Sequence, residues 1–340
     1  MQTEILQPAD LLDAQGRLTT CGWSRQPLLN YRRDAVKAPK FRLKEWDYYY
    51  VHAGEVGLSV TVADNGYLGF VSVTFFDFAV PCEVTKAVMV PFPLGKFGMP
   101  ASSGSGDVVF RNKSLTLEFR RTEGGRTLTI DCDDFAAGQA LHGVVHLSQP
   151  PGLESLTIAT PFAGAPLSFY YNQKVNCQPA QGELSFGKRK LVFDPATCFG
   201  VLDWGRGVWT YQNTWYWGSA SGLVLGQPFG FNLGYGFGDT AAASENVVYW
   251  KGRANKLDQV TFHLPEDSYL KPWKFTSNDG RLELDFVPVL DRASDTNVLL
   301  IRSNQHQVFG RFTGTVVMDD GSSLAVKDLF GFAEKVYNRW

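Results

Sequence analysis

Short alternating segments separated by turn residues recur along this 340-residue chain and constrain its fold more than any other feature. Residues 114–120 and 281–286 alternate polar and apolar side chains, and Asn278-Asp279-Gly280 directly precedes the second segment. Alternation with period two is typical of half-buried strands, and such turn residues tolerate the backbone of tight hairpins. Sustained helical spacing is absent over windows of about 12 residues. We therefore predict an all-β protein of antiparallel barrels or sandwiches with little helix.

The chain is long enough for two units of this kind. A polar, turn-rich stretch at residues 178–182 lies near its middle, so we predict an N-terminal β-barrel-like domain over residues 1–180 and a C-terminal one over 181–340. Aromatic residues 46–50 and 215–217 are each followed by a glycine- and aromatic-rich segment. An internal duplication and chance similarity in an aromatic-rich chain both account for this echo.

Charge and cysteine content exclude several classes of function. The chain has 32 basic and 34 acidic residues and a formal net charge of −2, so we expect no nucleic-acid partner. No apolar run approaches the roughly 18–20 residues of a transmembrane segment, and the amino terminus has no signal-peptide pattern. Five widely separated cysteines predict reduced thiols and a cytoplasmic protein. The oligomeric state stays open.

Motifs for cofactors and metals are missing from the sequence. We find no phosphate-binding P-loop, no dinucleotide-binding glycine pattern before a helix, and no His-Glu-x-x-His, so we expect no cofactor. His142 and His146 are four residues apart in a probable strand, which separates them by about 13 Å. We therefore expect no metal site at this pair.

Residues 199–250 are the most informative stretch, with thirteen aromatic residues, ten glycines and only four charged residues. A strand across 209–217 would place alternate side chains, including three tryptophans, on one face. Glycines 234, 236 and 238 would share a face of the next strand and leave room for those rings. Ligand lining and ordinary core packing are both open interpretations. The candidate ligand-binding residues are Arg206, Trp209, Tyr211, Asn213, Trp215, Trp217, Asn232 and Tyr235.

The carboxylates of this stretch are the candidate catalytic groups. A carboxylate among aromatic rings pays a desolvation penalty unless it is paired, and an unpaired one gains a raised pKa suited to a general acid. Asp239 and Glu245 are the first candidates and Asp203 the third, with turn or capping roles as the alternative for the first two. Asp203 and Arg206 are predicted to pair across a turn, as a structural brace or as part of the site.

Three further predictions lie outside this stretch. Trp46, Asp47 and Tyr49 are candidates for lining the first barrel. A polar set that shares one strand face is interpreted as a solvated surface, and Trp340 is interpreted as a ring that closes a domain. The polar set comprises Asn172, Lys174 and Asn176.

The chain resembles a bacterial family known as domain of unknown function 2804. The resemblance rests on residues 203–209, 215–222 and 231–239, and it extends to residues 244–246, 272–273, 307–310 and 338–340. It covers nearly the whole chain but implies no established activity. A remoter similarity links the chain to the tandem lipocalin-like superfamily that includes carotenoid 1,2-hydratases. That similarity implies two barrels that bind an isoprenoid or other apolar ligand and, in some members, acid chemistry without an organic cofactor.

Four functions follow as hypotheses. The first is binding of an apolar small molecule, such as a lipid or isoprenoid, in a lipocalin-like cavity. The second is a cofactor-independent hydratase, cyclase or isomerase in which a carboxylic acid protonates the substrate. The third is a carbohydrate-active or carbohydrate-binding protein, because tryptophan platforms and paired carboxylates also suit sugars. The fourth is a purely structural double barrel.

Overall fold

The computed structural model describes residues 2–298 and 301–339, so Trp340 lies outside the described residues. The described part contains strands and two short 3₁₀ turns, Arg33–Ala35 and Lys40–Arg42, but no α-helix. It therefore contains no helix that could span a membrane. The strands are β1 (Ala9–Asp10), β2 (Gly22–Ser24), β3 (Leu29–Asn30), β4 (Leu43–Ala53), β5 (Val56–Asp64), β6 (Leu68–Asp77), β7 (Cys82–Pro91), β8 (Val108–Arg111), β9 (Thr116–Thr122), β10 (Gly125–Ala136), β11 (Gln139–Ser148), β12 (Leu156–Phe162), β13 (Ala165–Phe186), β14 (Arg189–Phe193), β15 (Phe199–Val208), β16 (Gln212–Val224), β17 (Gln227–Tyr235), β18 (Val247–Trp250), β19 (Arg253–Lys256), β20 (Val260–His263), β21 (Trp273–Ser277), β22 (Leu282–Val298), β23 (Ile301–Val317) and β24 (Ser323–Arg339).

Two large antiparallel sheets contain nearly all of these strands. The main path of the first runs β7-β6-β5-β4-β15-β13-β11-β10-β9-β8, with β2, β12 and β14 attached beside it. The second runs β19-β18-β17-β16-β24-β23-β22-β21-β20. The all-β prediction is confirmed, and the two curled half-barrel sheets match the tandem lipocalin-like architecture.

The two sheets share one connectivity. In each, four consecutive strands form a meander, and the last strand of that sheet along the chain pairs with the first strand of the meander. The two similar aromatic segments lie in equivalent strands, because residues 46–50 are in β4 and residues 215–217 are in β16. Both strands occupy the same place in their sheets.

The predicted division between residues 180 and 181 falls inside β13, which is 22 residues long. β13 is continuous at this point, although its pairing partners change. Its first part pairs with β12 and β15, and its last part pairs with β11 and β14. Sheet membership changes later, between Val208 and Gln212. The division into two domains stays a prediction.

Three apolar clusters hold the molecule together. One fills the concave side of the first sheet and a second fills that of the second sheet. The third lies between the sheets and takes residues from both, such as Tyr50 from β4 and Phe332 from β24, whose rings lie 5.6 Å apart. Alternation along β4 explains this arrangement, because Tyr49 enters the first core while Tyr48 and Tyr50 enter the cluster between the sheets.

Candidate functional site

A row of polar side chains crosses the face of the first sheet that packs on the second. Tyr48 in β4, Asp203 in β15 and Lys174 in β13 are direct neighbours in the strand register. All three are buried. Lys174 Nζ lies 2.9 Å from Asp203 Oδ1, and Asn172 Nδ2 donates to the same oxygen at 2.6 Å. The polar groups are therefore paired, as their burial requires.

A second row lies opposite on the other sheet. Gln307 in β23, Glu334 in β24 and Trp217 in β16 are neighbours in register. Gln307 Nε2 donates to the Tyr48 hydroxyl at 3.3 Å, and Lys174 Nζ lies 4.1 Å from the centre of the Trp217 ring. These contacts join the two rows into one cluster, which we call the junction cluster. It comprises Tyr48, Tyr170, Asn172, Lys174, Asp203, Trp217, Asn232, Glu245, Gln307 and Glu334.

Glu245 enters the junction cluster from the loop between β17 and β18. The Tyr170 hydroxyl donates to its Oε1 at 2.8 Å, and Lys174 Nζ lies 3.8 Å from the same oxygen. Gly234 makes room for this side chain, because a Cβ added there would lie 2.8 Å from Oε2. Asn232 fixes the loop by donating to the Glu245 carbonyl at 2.7 Å, while its own Oδ1 accepts from Trp217 Nε1 at 2.7 Å.

Two carboxyl groups of the cluster have raised pKa values. Burial raises the pKa of Glu245 from 4.5 to about 6, against the lowering effect of Lys174. Desolvation of the carboxyl group raises the pKa of Glu334 from 4.5 to about 7, although the residue as a whole is partly exposed and Trp215 Nε1 donates to its Oε1 at 3.0 Å. The negative charge of Asp203 raises both values further. One lysine thus faces three carboxyl groups, and desolvation favours the neutral acid at two of them.

A layer of aromatic rings lies beside Glu245. Trp46 stacks on Tyr170 with ring centres 6.0 Å apart, and Phe237 stacks on the other side at 4.9 Å. Trp209 contacts both Tyr170 and Trp215, at 5.5 and 5.2 Å. Trp46 and Trp215 are partly exposed, as is Glu334, whereas Tyr170 and Trp209 are buried. The layer therefore extends from the buried acid towards the surface.

The predicted pair of Asp203 and Arg206 is wrong. The two residues are three apart in β15, so they lie on opposite faces of the strand. Arg206 faces the first core, where its Nη2 lies 3.1 Å from Asp47 Oδ1 and its Nε lies 3.9 Å from Glu45 Oε1. It braces the first sheet, and Asp203 pairs with Lys174 instead.

The predicted single strand over residues 209–217 is also wrong. The chain leaves the first sheet after Val208 and enters the second at Gln212. Tyr211 is consequently exposed, and the buried Asn213 donates to the Thr210 carbonyl at 2.7 Å. Trp209, Trp215 and Trp217 still meet at the junction, because Trp209 contacts Trp215 while Trp215 and Trp217 share one face of β16.

Two other candidates lie away from the junction cluster. Asp239 is exposed, and its Oδ1 accepts from the Ala241 amide at 3.0 Å, as in a turn cap. Tyr235 stacks on Tyr216 with ring centres 4.6 Å apart on the opposite face of the second sheet. Of the predicted site residues, Asp203, Trp217, Asn232 and Glu245 come together, with Trp209 and Trp215 in the adjoining ring layer.

Several members of the junction cluster were missed or misjudged from sequence. The solvated face predicted for Asn172, Lys174 and Asn176 is wrong, because these residues are at most 1% exposed. Their signal was a polar set with period two directly after the aromatic residues 169–171. Glu334 had a similar signal, because it continues the alternating face of Phe330 and Phe332 in β24.

Among the described residues, the ligand atoms of Asp131, Asp133 and His142 lie within 4.8 Å of one another and could reach one metal ion. All three are substantially exposed, and His142 Nδ1 lies 2.6 Å from Asp131 Oδ1. His142 also borders a groove of about 860 Å³ on the first sheet. A separate void of about 10 Å³ lies between the sheets near Tyr50 and Ser219, with room for about one water molecule.

Comparison with known proteins identifies the family of this chain. No curated protein sequence matches the chain. A protein described as AttH from Nitrosomonas europaea has a similar crystal structure, with a TM-score of 0.55 and 14% identity over 90% of this chain and 96% of that one. The crystal structure of kievitone hydratase from Nectria haematococca is similar too, with a TM-score of 0.51 and 10% identity over 98% of both chains. At these identities the similarities show the fold alone. The family model for the domain of unknown function DUF2804 matches residues 2–340, and the chain belongs to that family.

Proposed function

We propose that this protein is a cofactor-independent acid–base enzyme of the hydratase or isomerase type that acts on an apolar, unsaturated small molecule. Glu245 is the proposed proton donor. The observation that carries the proposal is its setting: a buried carboxyl group with a pKa raised to about 6, beside a layer of aromatic rings. A general acid works best when its pKa lies near the operating pH.

The hydrogen bonds of Glu245 support this role. Its Oε1 accepts from Tyr170 and faces Lys174. Its Oε2 is buried and has no hydrogen-bond partner among the described residues, so it is the oxygen that would carry the proton. Asp203 supports the neutral form of Glu245 because it shares Lys174 and adds a negative charge nearby.

At this site we expect hydration to take two steps, protonation of the substrate and attack of water. Glu245 Oε2 gives its proton to one carbon of a C=C bond, and the other carbon becomes a cation. The partly exposed rings of Trp46 and Trp215 would stabilise that cation through their negative faces. Water forms a bond to the cation through its oxygen and returns one proton to the Glu245 carboxylate. The sum is addition of one water molecule, and the enzyme is regenerated. Loss of a proton from the cation in place of water attack would give an isomer.

The fold of kievitone hydratase supports the reaction class, since a hydratase by name shares this two-sheet architecture. The test is a set of isoprenoid and phenolic alkenes incubated with the protein in ¹⁸O-labelled water. We expect one substrate class to gain one labelled water, and Glu245→Gln to abolish that gain. Asp239→Asn is the matched control, because Asp239 is exposed and lies outside the junction cluster. Equal turnover by Glu245→Gln and the wild type would contradict the proposal.

Non-catalytic binding of an apolar molecule is the second candidate. It is favoured by the ring layer, in which Trp46 and Trp215 at the edge are partly exposed. Native mass spectrometry followed by solvent extraction would identify a bound compound. A carrier would keep its ligand unchanged in Glu245→Gln and show no turnover of it, whereas the proposed enzyme would convert its ligand only with Glu245 present.

A further inference from the structure

The loop that carries Glu245 is held by groups outside the junction cluster. Lys256, in β19, donates from Nζ to Ser244 Oγ at 2.9 Å and to the Asn246 carbonyl at 2.9 Å. These two residues flank Glu245 in the chain. A third bond, to the carbonyl of Leu257 at 2.7 Å, holds the ammonium group at the end of β19. Lys256 thus uses all three of its donors.

A second restraint comes from the N-terminal segment. Gln2 Oε1 accepts from the Ser244 amide at 2.7 Å, and Gln2 Nε2 donates to Asp258 Oδ1 at 3.0 Å. The Thr3 amide donates to the Ala242 carbonyl at 2.8 Å in the same loop. Residues more than 230 positions apart in sequence are therefore joined directly beside Glu245.

Asn246 transmits this restraint to the space that Glu245 occupies. Its Oδ1 accepts from the Gly234 amide at 2.9 Å, and its Nδ2 donates to the Asp258 carbonyl at 2.9 Å. Gly234 is the residue whose missing side chain leaves room for Glu245 Oε2. A displacement of Asn246 would therefore alter the position of the carboxyl group relative to Tyr170 and Lys174.

We infer that Lys256 and Gln2 are positioning residues that hold the Glu245 carboxyl group at the junction cluster. The inference rests on the proposed role of Glu245 but concerns its placement. Lys256 also acts through its charge. Burial lowers the pKa of Lys256 from 10.5 to about 7, against the raising effect of Asp258, Glu245, Asp279 and Asp319. Preorganisation of an acid by neighbouring groups of this kind is a general requirement of acid–base catalysis.

The test is a ¹³C NMR titration of the Glu245 carboxyl group, assigned by its absence in Glu245→Gln, in the full-length protein. Lys256→Met should raise the midpoint by about one unit, because a nearby cation that favours the carboxylate is lost. Hydrogen exchange at the Gly234 amide should accelerate about tenfold or more, because its acceptor on Asn246 is released. Lys44→Met is the matched control, since Lys44 is also buried with a pKa lowered to about 7 and donates to the Asn65 carbonyl.

Gln2→Ala gives a second route if Lys256→Met does not fold. This change removes no charge and should accelerate exchange at the Ser244 amide about tenfold or more. An unchanged Glu245 midpoint in Lys256→Met, or unchanged exchange at Ser244 in Gln2→Ala, would overturn the inference. Neither readout depends on turnover, so loss of the proposed function alone would leave these shifts in place.

Discussion

Two buried charge clusters lie on opposite faces of the first sheet, and they differ in charge balance. In the first core, Arg206 and Arg33 face Glu45 and Asp47, so two cations meet two carboxylates. Arg206 also donates to backbone carbonyls, including that of Trp46 at 2.8 Å. At the junction cluster, Lys174 alone lies between carboxyl groups of both sheets.

This difference in charge balance distinguishes the Arg206 cluster, a structural brace, from the junction cluster, the candidate site. Balanced charges with fixed partners stabilise a core only while both partners remain. At the junction cluster, burial and then the charge of Asp203 raise the pKa values of Glu245 and Glu334, so these groups favour their neutral forms. Two further cations lie near these carboxyl groups: Arg292, which is shared with Glu83 at 3.8 Å, and Lys256, which also faces Asp258. We therefore expect the junction cluster to exchange protons near neutral pH and the Arg206 cluster to hold the sheet.

The largest effect is expected for Arg206→Met. It leaves Asp47 buried without the cation beside it and leaves Glu45 with Arg33 alone, which should lower the free energy of unfolding by about 3–5 kcal/mol. Urea unfolding monitored by tryptophan fluorescence at about pH 8 measures this change. A loss below about 1 kcal/mol would show that Arg206 is no brace.

Lys174→Met should cost less than Arg206→Met, and its cost should depend on pH. Near pH 8 the carboxyl groups beside it are ionised, and we expect a loss of about 3 kcal/mol. Near pH 5 Glu245 and Glu334 are already mostly neutral, so the loss should shrink. The same urea experiment at both pH values tests this. If Lys174→Met lowered the free energy of unfolding at pH 5 by more than Arg206→Met does, the two clusters would have the opposite roles.

The effect of Glu245→Gln on the free energy of unfolding should depend on pH, which distinguishes the junction cluster from the Arg206 cluster. The pKa of Glu245 is about 6 in the folded protein and 4.5 when exposed, so the folded state binds the proton more tightly. Its contribution to stability is present below pH 4.5 and is lost as the pH rises through 6, by about 2 kcal/mol. Glutamine cannot ionise, so the stability of the variant relative to wild type should rise by that amount over this range. A constant difference would contradict the raised pKa.

The smallest effect is expected for Asp239→Asn. Asparagine keeps an oxygen that can accept from the Ala241 amide in the same turn, and the site is exposed. The free energy of unfolding should change by less than about 0.5 kcal/mol. A larger loss, measured by the same unfolding experiment, would mean that this carboxylate has a partner beyond its turn.

Much of the fold was predictable because strand alternation is a local signal. The junction cluster was predictable only in part. Asp203 and Glu245 stood out as charges among rings, whereas Lys174 and Glu334 gain meaning from the packing of the two sheets, which no local pattern specifies. The error at Arg206 has a local cause. A turn was predicted between Asp203 and Arg206, but a Cβ added at Gly205 would lie 2.0 Å from the Trp46 ring, so the glycine between them permits close packing within a continuous strand.

Direct titration of the Glu245 carboxyl group in the wild-type protein, by ¹³C NMR with Glu245→Gln as the assignment control, tests the central claim. The proposed acid requires a midpoint of about 6, because burial outweighs the attraction of Lys174. A midpoint at or below 4.5 would show a stably ionised carboxylate paired with Lys174, and the junction cluster would then be a second brace.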